Sequence, residues 1–77
     1  MEWTSAATIQ PGQQEAQSAL NDLMMGMVDA ALTKLRVALV LADGDLKEGI
    51  EHAIEDIESG KIEEAQTTLE TVLMDMH

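Results

Sequence analysis

His52 is flanked four residues to either side by Glu48 and Asp56, so on a helix three potential metal ligands share one side. A zinc site takes three or four matched ligands, often including a second imidazole. The Glu-x-x-His pairing used by di-iron bundles is also missing around His52. The expected state is a solvated histidine on an acidic helix, with no metal and no cofactor. Asp43-Gly44-Asp45 opens like a calcium loop, but the obligatory glycine position falls on Glu48 and the closing glutamate position on Ile54, which excludes it. Cys and Tyr are absent, and Ser5, Ser18 and Ser59 have no partner in a triad-like pattern. Carboxylate pairs occur only as helix-surface neighbours, where nothing separates their pKa values. No catalytic residue is expected, and the chain is read as a non-enzyme.

The remaining polar chemistry is negative charge. Glu48, Glu51, Glu55 and Glu58 recur at one-turn spacing, and Glu63 and Glu64 follow shortly after; a helix advances ~5.4 Å per turn. Net charge is −11 in 77 residues, with most of it after Gly44. Such a chain is unsuited to direct binding of nucleic acid or an anionic membrane, both of which need clustered Lys and Arg. It suits a basic protein surface. The six glutamates are the expected partner-binding face. The stripe could enter a basic groove and exclude nucleic acid. The alternatives are a solubilising helix face and the acid-rich, lysine-poor surface of a protein adapted to salt.

A second group is apolar. Met24, Met25, Met27, Met74 and Met76 are flexible, polarizable side chains suited either to filling gaps in a core or to adaptable recognition. The spacing places Met24, Met27 and Met76 on core or dimer-seam faces and leaves Met25 and Met74 off them. Met24, Met25, Leu32, Leu39, Val40 and Met74 together form the expected set for contact with a second copy or another apolar surface.

These residues must be carried by helices. With Trp3 the only aromatic and 45% hydrophobic residues, the core palette is Leu, Ile, Val, Met and Ala. Residues 1–12 end in Pro11-Gly12 and read as a flexible arm, from which Trp3 and Ile9 could dock. Residues 13–77 read as one helical domain with helices over about 13–43, 45–59 and 61–76. On the first, Leu20, Leu23, Met24, Met27, Ala31, Leu35, Ala38 and Ala42 follow i, i+3, i+4 spacing, with Asp22, Asp29 and Arg36 on the opposing stripe. Asp45 with Glu48 reads as a capping box for the second helix. Ser59-Gly60-Lys61 repeats the stop–start signal.

The second and third helices match each other at a period of 16, Gly44, Leu46, Glu48 and Ala53 aligning with Gly60, Ile62, Glu64 and Leu69. This resembles the helical-hairpin pattern of tetratricopeptide-type repeats, without their 34-residue signature. The expected fold is all-α: a long N-terminal helix packed with a C-terminal helical hairpin, a three-helix bundle completed by dimerisation. A hairpin half as long as the first helix cannot cover it, and a chain this short buries only about 60% of its unfolded surface. A break at Gly26, giving a four-helix monomer, is the alternative.

No basic region followed by an apolar run marks an export signal, and the apolar run Val37 to Ala42 is too short to span a bilayer; a cytoplasmic location is expected. In size and charge the chain is similar to the small acidic proteins that phages and mobile elements make against host nucleases, anti-CRISPR proteins among them. That similarity implies an inhibitor or adaptor that mimics nucleic acid toward a nuclease or other nucleic-acid-binding protein. The competing reading is a structural or assembly oligomer.

Overall fold

The structure, a computed structural model, describes residues 10–74. The proposed docking of Trp3 and Ile9, and the core role of Met76, lie outside those residues. Four helices pack together and no strand occurs among the described residues: α1 (Gln13–Met24), α2 (Val28–Leu41), α3 (Gly44–Glu58) and α4 (Ile62–Met74). None is long and apolar enough to cross a membrane.

The expected continuous helix over 13–43 is two helices, and the three-helix bundle is therefore a four-helix one. The break is chemically specified. Gly26 adopts φ +80°, a left-handed conformation open to glycine at little cost. Around it the Met27 N–H donates to the Asp22 carbonyl at 2.8 Å and the Gly26 N–H to the Leu23 carbonyl at 3.0 Å. This pair of bonds is the Schellman stop, which satisfies carbonyls a helix end would otherwise leave bare. Glycine costs about 1 kcal/mol inside a helix, so the same residue that weakens a continuous helix favours the turn.

The end of α3 is built identically. Lys61 N–H donates to the Asp56 carbonyl at 2.7 Å and Gly60 N–H to the Ile57 carbonyl at 3.0 Å. The correspondence extends through both hairpins at an offset of 34 residues, Gly26 to Gly60. Ala19, Asp22, Ala31, Thr33, Leu35 and Leu39 match Ala53, Asp56, Ala65, Thr67, Leu69 and Leu73. Each hairpin is antiparallel. α1 also packs on α4 and α2 on α3, so the two hairpins close on each other with approximate two-fold symmetry. The period-16 match relates two helices within one hairpin; the longer period relates the hairpins themselves.

The core is thin. Seven of the fifteen buried apolar residues are alanine, which lets helices approach closely but buries little area per contact. The large side chains enclosed completely are Leu35, Leu46, Ile50 and Leu69. Met24 and Met27, expected in the core, are exposed, because α1 ends at Met24 and Met27 precedes the first turn of α2. Asp22, expected on the polar stripe, is buried. The expected capping box is also absent. α3 begins at Gly44, the preceding Asp43 is extended, and no side chain caps the helix.

α3 and α4 approach closely at Gly49, where a Cβ would collide with Val72 Cγ2. The equivalent pair in the first hairpin is Glu15 and Ala38, so a smaller residue on one helix accompanies a larger one on the other. Gly49→Ala is expected to destabilise by about 1–3 kcal/mol through overpacking. Adding Val72→Ala should recover part of the loss, with a coupling of at least about 0.5 kcal/mol in a double-mutant cycle of urea unfolding.

Candidate functional site

The two hairpins share their buried residues and differ on the outside. Across α1 and α2, three acids meet two bases, for a net −1; from Gly44 to Met74, nine acids meet two bases, for a net −7. The inner faces need only apolar residues at the repeated positions. The charge difference is therefore not required by the fold.

On the second hairpin the outer faces of α3 and α4 flank a trough. Its larger part has a cavity volume of about 780 Å³ and is lined by residues including Asp43, Asp45, Glu48, His52, Thr68 and Val72. A smaller part of about 440 Å³ is lined by Asp56, Glu63, Glu64, Thr67 and Thr68. Thr67 and Thr68 line both, so the two parts lie side by side. No Lys or Arg lines either.

All six predicted glutamates are exposed, and they fall on different parts of the outer surface of the second hairpin. Glu48, Glu63 and Glu64 line the trough. Glu51 and Glu55 lie on the side of α3 away from α4, outside its lining. Glu58 reaches α2, where its Oε2 accepts from Arg36 Nη2 at 3.1 Å. Both side chains of that pair are more than half exposed, so it stabilises the fold by well under ~1 kcal/mol. Asp56, Thr67, Thr68 and Thr71 line the trough beside Glu48, Glu63 and Glu64. Their spacing on α3 and α4 is ordinary, and only the antiparallel closure of the hairpin sets them opposite one another.

The apolar set separates as well. Leu32 and Leu39 are half-buried against the core. Met24, Met25 and Met27 cluster at the α1–α2 turn, Met74 lies at the end of α4, and Val40 is 85% exposed on α2. Val37 and Leu41, not in the expected contact set, join Val40 at i−3 and i+1 to form an exposed stripe. The signal was present in the uninterrupted apolar run from Val37, since a helix apolar all round must leave some of it outside unless it is buried on every side.

The first hairpin holds a part-buried ionic contact whose positions have counterparts in the trough. Lys34 Nζ donates to Ser18 Oγ at 2.8 Å and lies 2.7 Å from Asp22 Oδ2. That oxygen is enclosed and lacks a well-aligned hydrogen bond, so at this distance charge rather than a directed bond compensates it. The residues 34 positions on are His52, Asp56 and Thr68. The carboxylate is repeated and the cation is not.

Comparison with protein-family models, curated proteins and solved structures returned no match. Function must be read from these surfaces. Among the described residues, no cluster of three His, Cys, Asp or Glu side chains is arranged to hold a metal ion.

Proposed function

We propose that this chain is a non-enzymatic binding protein whose α3–α4 outer surface docks on a basic protein site that ordinarily holds nucleic-acid phosphates. It would act as an inhibitor or adaptor of the type mobile elements direct against host nucleases, anti-CRISPR proteins included, and its partner would be a cytoplasmic nuclease or other nucleic-acid-binding protein. The observation that carries this reading is the imbalance between two hairpins of matching fold, −1 against −7, with a trough lined by no Lys or Arg on the acidic one. A surface serving solubility alone has no reason to concentrate charge on one repeat; a surface matched to a basic groove does.

The test is affinity capture from host lysate followed by competition. A basic nucleic-acid-binding protein should be retained and then displaced by a short DNA or RNA duplex of the kind it binds. Retention of a protein that no nucleic acid displaces would contradict mimicry.

A second reading, homodimerisation, is favoured by the Val37–Val40–Leu41 stripe. The original reason for a dimer, an overlong first helix, is removed by the turn at Gly26. α2 is nevertheless the one helix with net positive charge, carrying Lys34 and Arg36 against Asp29, and it packs on α1 and α3 away from α4. Two copies of a −11 chain can meet there without opposing their acidic faces. Three side chains are small against the ~800 Å² per partner of a standard interface, so the dimer would be weak. Sedimentation velocity should show self-association that strengthens as salt screens the mutual repulsion and disappears in Val40→Glu. A monomer at millimolar concentration in high salt would remove this reading.

A further inference from the structure

We infer that the trough contains a receptor for a lysine ammonium supplied by the partner, held between the Asp56 carboxylate, the Thr68 hydroxyl and His52. This rests on the reading that the acidic face docks on a basic protein, and it names the group that enters.

The template lies within the molecule. In the first hairpin, Lys34 crosses from α2 to α1, and its Nζ sits between Ser18 Oγ and Asp22 Oδ2 at 2.8 and 2.7 Å. The second hairpin repeats the backbone that presents those groups. The Schellman bonds that end α1 and α3 involve the carbonyls of Asp22 and Asp56 in turn. Thr33 and Thr67 hydroxyls each donate to the carbonyl four residues back at 3.1 Å. What changes is the cation: Lys34 corresponds to Thr68. Removing a long side chain from a conserved backbone leaves room, and room is present, because Thr68 lines both parts of the trough, with His52 in one and Asp56 in the other.

The chemistry left behind is suited to an alkylammonium. Asp56 is a half-buried carboxylate with no ion-pair partner among the described residues. The Thr68 hydroxyl and the His52 imidazole add hydrogen-bonding groups to the Asp56 carboxylate, which matches in kind the three donors of an ammonium. Glu63 and Glu64 border the same depression and add attraction at longer range. Val72, which lines the larger part of the trough, offers an apolar surface for the methylene stem of the incoming lysine.

The decisive variant is Thr68→Lys, which supplies from within the chain the cation that Lys34 supplies in the first hairpin. The probe is a soluble lysine-rich peptide, titrated into ¹⁵N-labelled protein at low salt, with the lysine-acetylated peptide as control. The expected result is movement of the His52, Asp56, Thr67 and Thr68 amides with the charged peptide only, and at least tenfold weaker binding to Thr68→Lys. Gln17→Lys, which adds the same charge to the exposed surface of α1, should bind within twofold of the parent. Asp56→Asn, checked by circular dichroism for an unchanged fold, should match Thr68→Lys in lost affinity. If the peptide binds Thr68→Lys as it binds the parent, or moves only amides around Glu51 and Glu55, the receptor is absent although docking by charge survives. If the charged peptide does not bind the parent, the receptor is likewise overturned; if the duplex-displaceable capture fails as well, the broader reading falls with it.

Discussion

Replacing Glu51 and Glu55 together by lysine is expected to leave the bundle folded and to weaken docking on the basic partner by about 100-fold or more. Both side chains are exposed, neither lines the trough nor enters an ion pair among the described residues, and surface changes of this kind usually alter stability by less than about 0.5 kcal/mol. The double reversal changes net charge from −11 to −7. Close charge pairs across interfaces couple by about 1.5 kcal/mol or more each, and like charges brought together add a penalty. Two lost pairs near that lower figure already amount to about 100-fold. Titration calorimetry with the captured partner measures the loss, and circular dichroism measures the fold. A merely solubilising face predicts unchanged affinity, and a protein adapted to salt predicts unfolding of the parent chain at low salt.

Leu35→Ala should be among the most damaging single truncations. Leu35 is wholly buried on α2, and the alanines around it offer few flexible side chains to close the gap. Leucine-to-alanine changes in cores cost about 2–5 kcal/mol, against a total stability of roughly 0.05–0.15 kcal/mol per residue. At about 4–8 °C per kcal/mol for a domain of this size, the midpoint of thermal unfolding should fall by at least about 8 °C. Because the hairpins are related at an offset of 34 residues, Leu69→Ala should cost a similar amount. A small loss at either position would mean that the core lies elsewhere.

Much of this core is legible as periodicity. Helical spacing on the first stretch places Leu20, Leu23, Ala31, Leu35, Ala38 and Ala42 inward, and inward they are. The break at Gly26 was visible only as an alternative, since apolar spacing continues across it in phase and one glycine does not by itself decide between a kinked helix and a turn. What decides is the second hairpin. Asp-x-x-x-Gly recurs at Asp22-Gly26 and Asp56-Gly60, and the latter carries an obvious stop signal in Ser59-Gly60-Lys61. The 34-residue period was obscured because the outer residues diverge: Met24 and Met25 against Glu58 and Ser59, Arg36 and Val37 against Glu70 and Thr71.

The acidic face was legible as a set of glutamates and not as a site. Helical spacing puts Glu48, Glu51, Glu55 and Glu58 on one broad outer face. It does not show that α4 lies along the Glu48 side, or that Arg36 reaches Glu58 from the other. Asp22 was misplaced for a related reason. A carboxylate can be enclosed when a lysine reaches it from another helix, and the partnership of Lys34 with Asp22 depends on the turn between them. The same turn geometry, repeated without its lysine, gives Asp56 its place in the trough.

The affinity of the intact chain for its captured basic partner, measured from about 50 mM to about 500 mM NaCl, tests most directly whether the second hairpin is an electrostatic docking surface. Screening shortens the Debye length from over 10 Å to a few ångströms across that range, so affinity should fall by at least about tenfold, chiefly through slower association. An affinity that stays constant across the range and is the same for Glu51→Lys/Glu55→Lys would contradict the assignment of the acidic face as the docking surface.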